Sequence, residues 1–124
     1  MGDDQSVEIR LGIYATEETA AELAAACGRL LEARGLGYRV SVVGGGDMPL
    51  GAFYADLAEQ WRLTHPGADP GTRGVREIRV ALSSAPVAGT EELRAELVRV
   101  ICPDPGHRSP CAVPWASYAI ASTP

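Results

Sequence analysis

Residues 7–18 read VEIRLGIYATEE, and the pattern returns as EIRV at residues 77–80 and TEELRAEL at residues 90–97. Apolar residues alternate with charged ones in the first part of each copy, which is the period of a strand with one buried face. A threonine and two glutamates then mark a helix start, because a hydroxyl caps free N–H groups and acids complement the helix dipole. The chain therefore contains two strand-then-helix units.

Two further strands complete these units. Residues 38–42 alternate between apolar and polar side chains, and residues 115–122 form the last strand. Gly35 is placed to end the first helix, because glycine adopts the left-handed conformation at low cost. Between the units, Asp47 and Pro49 announce an additional helix whose apolar stripe reaches Trp61. We predict two βαβ units, residues 7–43 and 75–122, joined by this helix.

Two βαβ units predict an α+β two-layer sandwich of the ferredoxin-like type, with a four-stranded, mostly antiparallel sheet and helices on one face. A doubly wound parallel sheet is the competing architecture, since strands and helices alternate throughout. Strands of such sheets carry nearly continuous apolar runs, whereas the strands at residues 7–14 and 76–82 interleave charges. We assign residues 7–124 to this single domain and residues 1–6 to a disordered tail.

The composition fits one globular domain of 124 residues, with 46% hydrophobic and 22% charged residues. The net charge of −5 repels phosphate backbones, so no nucleic-acid partner is expected. No apolar run approaches the roughly 18 residues that cross a membrane, and the acidic start lacks the features of a secretory signal. We therefore predict a cytoplasmic protein without a membrane partner. The basic side chains are all arginine, which is typical of a high-GC bacterial genome.

The predicted sheet leaves one face without helices. In register, that face carries Glu8, Arg10, Tyr14, Arg39, Ser41, Glu77 and Arg79. Three interpretations of this face are open: a solvated surface, a groove for an anionic small molecule, or the interface of a dimer. The last two are considered because a sheet with one fully exposed face usually binds a partner. The predicted ligand-binding residues are Arg10, Tyr14, Arg39 and Arg79. We also predict a homodimer built on this face or on an edge strand.

A second candidate site lies in the proline-rich segment that contains Cys102, His107 and Cys111. These residues are soft ligands for zinc, with Cys27 or His65 as a fourth, but the close C-x2-C pair of strong zinc motifs is missing. The alternatives are a Cys102–Cys111 disulfide, a Cys111 thiolate activated by His107, and a rigid loop with incidental cysteines. We favour the loop, and predict neither a metal nor a cofactor.

No motif in the chain identifies a function. We favour a non-enzymatic small-molecule-binding or accessory module that acts as a homodimer, because no carboxylate pair or catalytic triad is evident. One alternative is a small cofactor-independent enzyme of the isomerase, cyclase or monooxygenase kind acting on an apolar metabolite. Its catalytic candidates are Tyr14, His107 and Cys111, with Arg10 as an anion clamp. The other alternative is a zinc-stabilised interaction domain. An apolar pocket walled by Tyr14 or His107 would favour the enzyme, whereas a filled core together with a flat, open sheet would favour the binding module.

Overall fold

The computed structural model describes residues 6–44, 54–82, 90–102 and 113–122. Its elements are β1 (Ser6–Ala15), α1 (Glu17–Ala33), β2 (Tyr38–Gly44), α2 (Ala55–Thr64), β3 (Gly74–Leu82), α3 (Thr90–Ile101) and β4 (Trp115–Ser122). The strands form one sheet in the order β2-β3-β1-β4, with every neighbouring pair antiparallel. This order confirms the predicted α+β, ferredoxin-like fold with an additional helix between two βαβ units. The predicted start of that helix and residues 1–5 of the predicted tail lie outside the described residues, while Ser6 opens β1.

The main core lies between the sheet and the helices α1 and α3. Alternate residues of β1 point into it, and Ile9, Leu11 and Ile13 are fully buried there. Burying such a side chain contributes about 1.5–3 kcal/mol. The strand period therefore assigns the buried face as the sequence predicted. None of the helices in the described part of the chain is long and apolar enough to cross a membrane.

The ends of α1 follow the sequence signals. Thr16 precedes the helix in an extended conformation, and its Oγ1 accepts a hydrogen bond of 3.1 Å from the backbone N–H of Thr19. Gly35 follows the helix with a φ of +69°, in the left-handed region that favours glycine. Both predicted helix boundaries are confirmed.

The position of α2 differs from the prediction that the helices lie on one face. Tyr54, Leu57 and Trp61 are buried against Tyr14, which points away from the main core. The Tyr14 and Trp61 rings lie 6.0 Å apart, centroid to centroid. The helix α2 thus packs on the opposite face of the sheet and builds a second, smaller core there. The surrounding half-buried side chains are Val43, Ala58, Val75, Ala116 and Tyr118.

The predicted open face is therefore open over only part of its area. Tyr14 is 7% exposed and Glu77 is 1% exposed, so the prediction that this face displays both side chains is wrong. Their burial follows from α2, whose apolar stripe needs a surface to cover. The rest of the face remains accessible, with Glu8 and Arg10 half-buried and Arg39 exposed.

Candidate ligand-binding face of the sheet

A close approach between Gly12 and Tyr54 fixes where α2 sits on the sheet. Tyr54 directly precedes α2, and a Cβ atom built on Gly12 would lie 2.2 Å from Tyr54 Cε1. Ordinary contacts of a Cβ atom lie at 3.4–4 Å. Only glycine therefore leaves room for the Tyr54 ring at this position in β1.

Tyr54 brings its hydroxyl to the buried carboxylate of Glu77. The Tyr54 hydroxyl donates to Glu77 Oε2 at 2.6 Å, and Arg79 Nε donates to Glu77 Oε1 at 2.6 Å. Arg10 Nε lies 3.9 Å from the same Oε1 atom. A buried charge is tolerated only when it is paired and hydrogen-bonded. Burial raises the pKa of Tyr54 well above its ordinary value of 10.0, and the hydrogen bond to Glu77 raises it further.

Arg10 lies beside the part of the sheet that α2 covers, and two neighbouring side chains are hydrogen-bonded to it. Its Nε donates to Glu8 Oε1 at 2.5 Å, and its Nη1 donates to the hydroxyl of Tyr118 at 3.2 Å. The hydrogen bond to Glu8 raises the pKa of Arg10, and the bond to Tyr118 adds to this effect. The Arg10 guanidinium is therefore a permanent positive charge of fixed orientation.

The strand register places these charges in adjoining rows. Arg10 on β1 lies directly opposite Arg79 on β3, which in turn lies opposite Ser41 on β2. In the next row, Ala81 lies between Glu8 and Arg39. We call this set the arginine face; its members are Glu8, Arg10, Arg39, Ser41, Glu77 and Arg79. Like charges directly opposite each other are unfavourable, and the two glutamates offset that repulsion.

The arginine face carries a charge opposite in sign to that of the whole chain. Its three arginines exceed its two glutamates by one, whereas the chain has a net charge of −5. The side chains of Arg10 and Arg79 are 27% and 34% exposed. The local charge of this face therefore differs in sign from the net charge of the chain.

The predicted ligand-binding residues separate into two groups. Arg10, Arg39 and Arg79 share the arginine face, so the structure brings these three together. Tyr14 belongs to the same side of the sheet but is covered by Trp61 of α2. Its hydroxyl therefore does not line the exposed area.

The candidates from the proline-rich segment are only partly described. His107 and Cys111 lie outside the described residues. Cys102 is 2% exposed and is disulfide-bonded, so its sulfur is not a thiolate in this form. Disulfides are uncommon in reducing compartments, and cytoplasmic localisation stays a prediction. No group of three or more His, Cys, Asp and Glu residues within the described ranges is arranged to hold a metal ion.

The two proposed fourth zinc ligands are engaged elsewhere. Cys27 is a free cysteine that is fully buried in the main core, and its burial raises its pKa from 9.0 to about 11. The His65 ring stacks on Trp61 with centroids 4.6 Å apart, and its Nδ1 lies 3.0 Å from the Trp61 carbonyl oxygen. His65 thus ends α2, as its place beside Pro66 predicted.

A shallow groove runs between α1 and β2, outside the main core. Its volume is about 430 Å³, and it opens widely to solvent. Its lining consists of Ala24, Ala25, Gly28, Arg29, Glu32, Tyr38 and Val40. The space between the sheet and the helices α1 and α3 is occupied by core side chains. The core between the sheet and these two helices is therefore filled, but the other face of the sheet is not the flat, open surface expected of a binding module, because α2 covers part of it.

Two residues of this site, Tyr54 and Tyr118, were not predicted from the sequence, although they contact Glu77 and Arg10. The sequence held a signal for Tyr54 alone: an isolated glycine within a strand indicates that another group approaches the backbone closely. Gly12 is such a glycine.

No protein-family model matches the chain, and no curated protein matches its sequence.

Proposed function

We propose that the protein is a non-enzymatic binding module that acts as a homodimer and takes a small anionic molecule on its arginine face. The observation that carries this proposal is the directly opposed pair Arg10 and Arg79, half-buried and held by carboxylates.

The hydrogen bonds of this pair leave donors for a ligand. Glu77 accepts from the Nε of Arg79, and no contact of the described residues engages the two terminal nitrogens of that side chain. A guanidinium presents its N–H groups as a rigid fork that matches carboxylate and phosphate oxygens. Because Glu8 and Glu77 already fix the two arginines, less side-chain entropy is lost on binding. These features support an anionic ligand with at least two oxygens.

The burial of the Tyr54–Glu77 pair supports binding rather than catalysis. A general acid or base has to come within hydrogen-bond reach of its substrate. Tyr54 is 3% exposed and Glu77 is 1% exposed, so neither side chain is accessible to a substrate at the surface. The hydrogen bonds of Glu77 to Tyr54 and Arg79 connect the start of α2 with the arginine face, while the exposed donors of that face belong to its arginines.

Isothermal titration calorimetry with succinate, inorganic phosphate and a phosphate monoester tests the ligand class. We expect saturable binding of at least one of these probes that weakens as salt is added. The variant R10Q should weaken binding about tenfold or more, since a hydrogen bond to a charged group contributes about 1.5–3 kcal/mol. R39Q changes an exposed side chain, so it should weaken binding without affecting the fold.

The matched control is R62Q on α2, which removes the same charge from a side chain that is 66% exposed and paired only with Glu59 among the described residues. We expect R62Q to bind as the unmodified protein does. Equal losses in R39Q and R62Q would show that binding depends on net charge alone and would overturn the site. Absence of binding by all three probes at millimolar concentration would overturn the proposed ligand class.

A further inference from the structure

Among the described strands β4 forms one edge of the sheet, and its sequence has none of the residue types that normally protect a sheet edge. Its sequence, WASYAIAS, contains no charged residue and no proline over eight residues. Edge strands usually carry such residues because their unpaired N–H and C=O groups invite pairing with another strand. The opposite edge, β2, is one residue shorter and carries Arg39. Ile120 adds an apolar side chain, 36% exposed, to the β4 edge.

We infer that β4 pairs antiparallel with β4 of a second copy of this chain, which joins two sheets into one of eight strands. The inference rests on the homodimer of the proposed function and names its interface. A two-fold axis requires a surface that complements itself, and an antiparallel strand pair meets this requirement. An uncharged strand also brings no like charges together in a chain with a net charge of −5.

The position of α3 extends the contact beyond the strand edges. The helix α3 packs on β4 and on β1. With strands about 4.8 Å apart, helices centred over these two strands in both copies would lie about 10 Å from each other, which is the usual distance of packed helices. A strand edge of eight residues is only about 26 Å long. Contacts between the two α3 helices therefore supply much of the roughly 1,200 Å² that a stable interface needs.

The charges on the flank of α3 complement those of an antiparallel copy. Arg94 lies on the side of α3 that faces β4, because its Nη1 donates to Ser117 Oγ at 2.7 Å. It also pairs with Glu91 one turn earlier, with Nη2 and Oε1 2.7 Å apart. Reversing the direction of the helix in the second copy brings the Glu91 carboxylate of one chain toward the Arg94 guanidinium of the other. The flank is thus complementary to itself.

The first test places a lysine on each edge of the sheet. I120K puts a charge on β4, and V42K puts the same charge on β2 at a side chain of similar exposure, 36% against 41%. Sedimentation velocity should give a dimer for the unmodified chain and for V42K, and at least about a tenfold higher dissociation constant for I120K. An I120K chain that dimerises as tightly as the unmodified chain, or a V42K chain that is weakened as much as I120K, would overturn the β4 interface.

The second test uses charge reversal and does not depend on the stability of I120K. E91R and R94E each place like charges against their own copies, so each variant alone should dissociate at least about tenfold more readily. A mixture of the two variants should form a heterodimer. In the E91R chain, positions 91 and 94 are both positively charged, and in the R94E chain both are negatively charged, so the two flanks attract each other. A variant that is merely destabilised would not be rescued by mixing. Two variants that stay apart on mixing would therefore contradict the inference.

These outcomes separate the interface from the proposed function. A monomeric unmodified chain at 100 µM would overturn both the interface and the homodimer, while anion binding is measured independently by R39Q and R62Q. A dimer that resists both I120K and the charge reversals would overturn the interface and keep the homodimer.

Discussion

Replacing Gly12 with alanine should release α2 from the sheet. The added Cβ atom would lie 2.2 Å from Tyr54 Cε1 and 2.5 Å from Cδ1 and Cζ. An ordinary contact starts at 3.4 Å, so the ring has to withdraw by about 1.2 Å. That displacement is large against the 2.6 Å hydrogen bond from Tyr54 to Glu77, and the bond is lost.

Two effects set the size of the destabilisation. Overpacking a filled site costs about 1–3 kcal/mol, and a hydrogen bond to a charged group contributes about 1.5–3 kcal/mol. Because the two effects share one side chain, they do not add fully. We expect G12A to lower the free energy of unfolding by about 3 kcal/mol, or roughly 10 °C in Tm for a domain of this size. The Gly12–Tyr54 contact belongs to the smaller core, so amide exchange should rise most in residues 55–64.

Urea denaturation followed by circular dichroism measures this loss, with G74A as the matched control. Gly74 also lies in a strand, but a Cβ atom there meets nothing within 4 Å, so G74A should stay within about 0.5 kcal/mol of the unmodified chain. In a Y54A background the clash is absent, and adding G12A should cost less than about 0.5 kcal/mol. Equal stabilities of G12A and G74A would refute the packing of Tyr54 on Gly12.

Four further predictions concern the main core and the ends of α1. In a C102S/C111S background, in which Cys27 is the single thiol, Ellman's reagent should label Cys27 only after denaturation because this side chain is fully buried; rapid labelling of that native variant would contradict the burial. Burial raises the pKa of Cys27 to about 11. The stabilisation by its neutral thiol is therefore present below pH 9, and the free energy of unfolding should fall as the pH rises from about 9 to 11. C27A should make the free energy of unfolding depend less on pH in this range. In urea denaturation, T16A should lower the free energy of unfolding by about 1 kcal/mol and T16S by much less. G35A should lower the free energy of unfolding by about 1 kcal/mol, and G35N by less. Equal losses in G35A and G35N would argue against the positive φ of Gly35.

The fold was largely predictable because its signals are local. The alternation in β1 determines which residues face the main core, and Thr16 and Gly35 determine where α1 begins and ends. Antiparallel order followed from interleaved charges, since a sheet covered on both faces by crossover helices would not tolerate them. Each of these inferences needs only a few neighbouring residues.

The side of the sheet on which α2 lies was not predictable in the same way. The alternation of side chains along a strand shows which residues share a face of the sheet. It does not show which of the two faces a helix distant in sequence covers. The helix α2 buries only Leu57 and Trp61 from its own length, and so narrow a stripe fits either face. Tyr14 and Glu77 were therefore predicted to be exposed. Their burial depends on Tyr54, which approaches Gly12 from 42 positions further along the chain.

The central position of β1 has a consequence for synthesis on the ribosome. Of the four described strands β1 is made first, yet one of its two neighbours is β4, with Ser6 aligned to Ser122. Its other neighbour, β3, is available only after residue 74. Until then the apolar side chains of β1 have no sheet to join, and its second edge stays unpaired until β4 emerges. Pairing between such distant segments slows folding and prolongs the exposure of aggregation-prone strands. The growing chain thus carries a strand with three fully buried side chains unpaired until β3 emerges, which makes β1 the segment for a chaperone to shield.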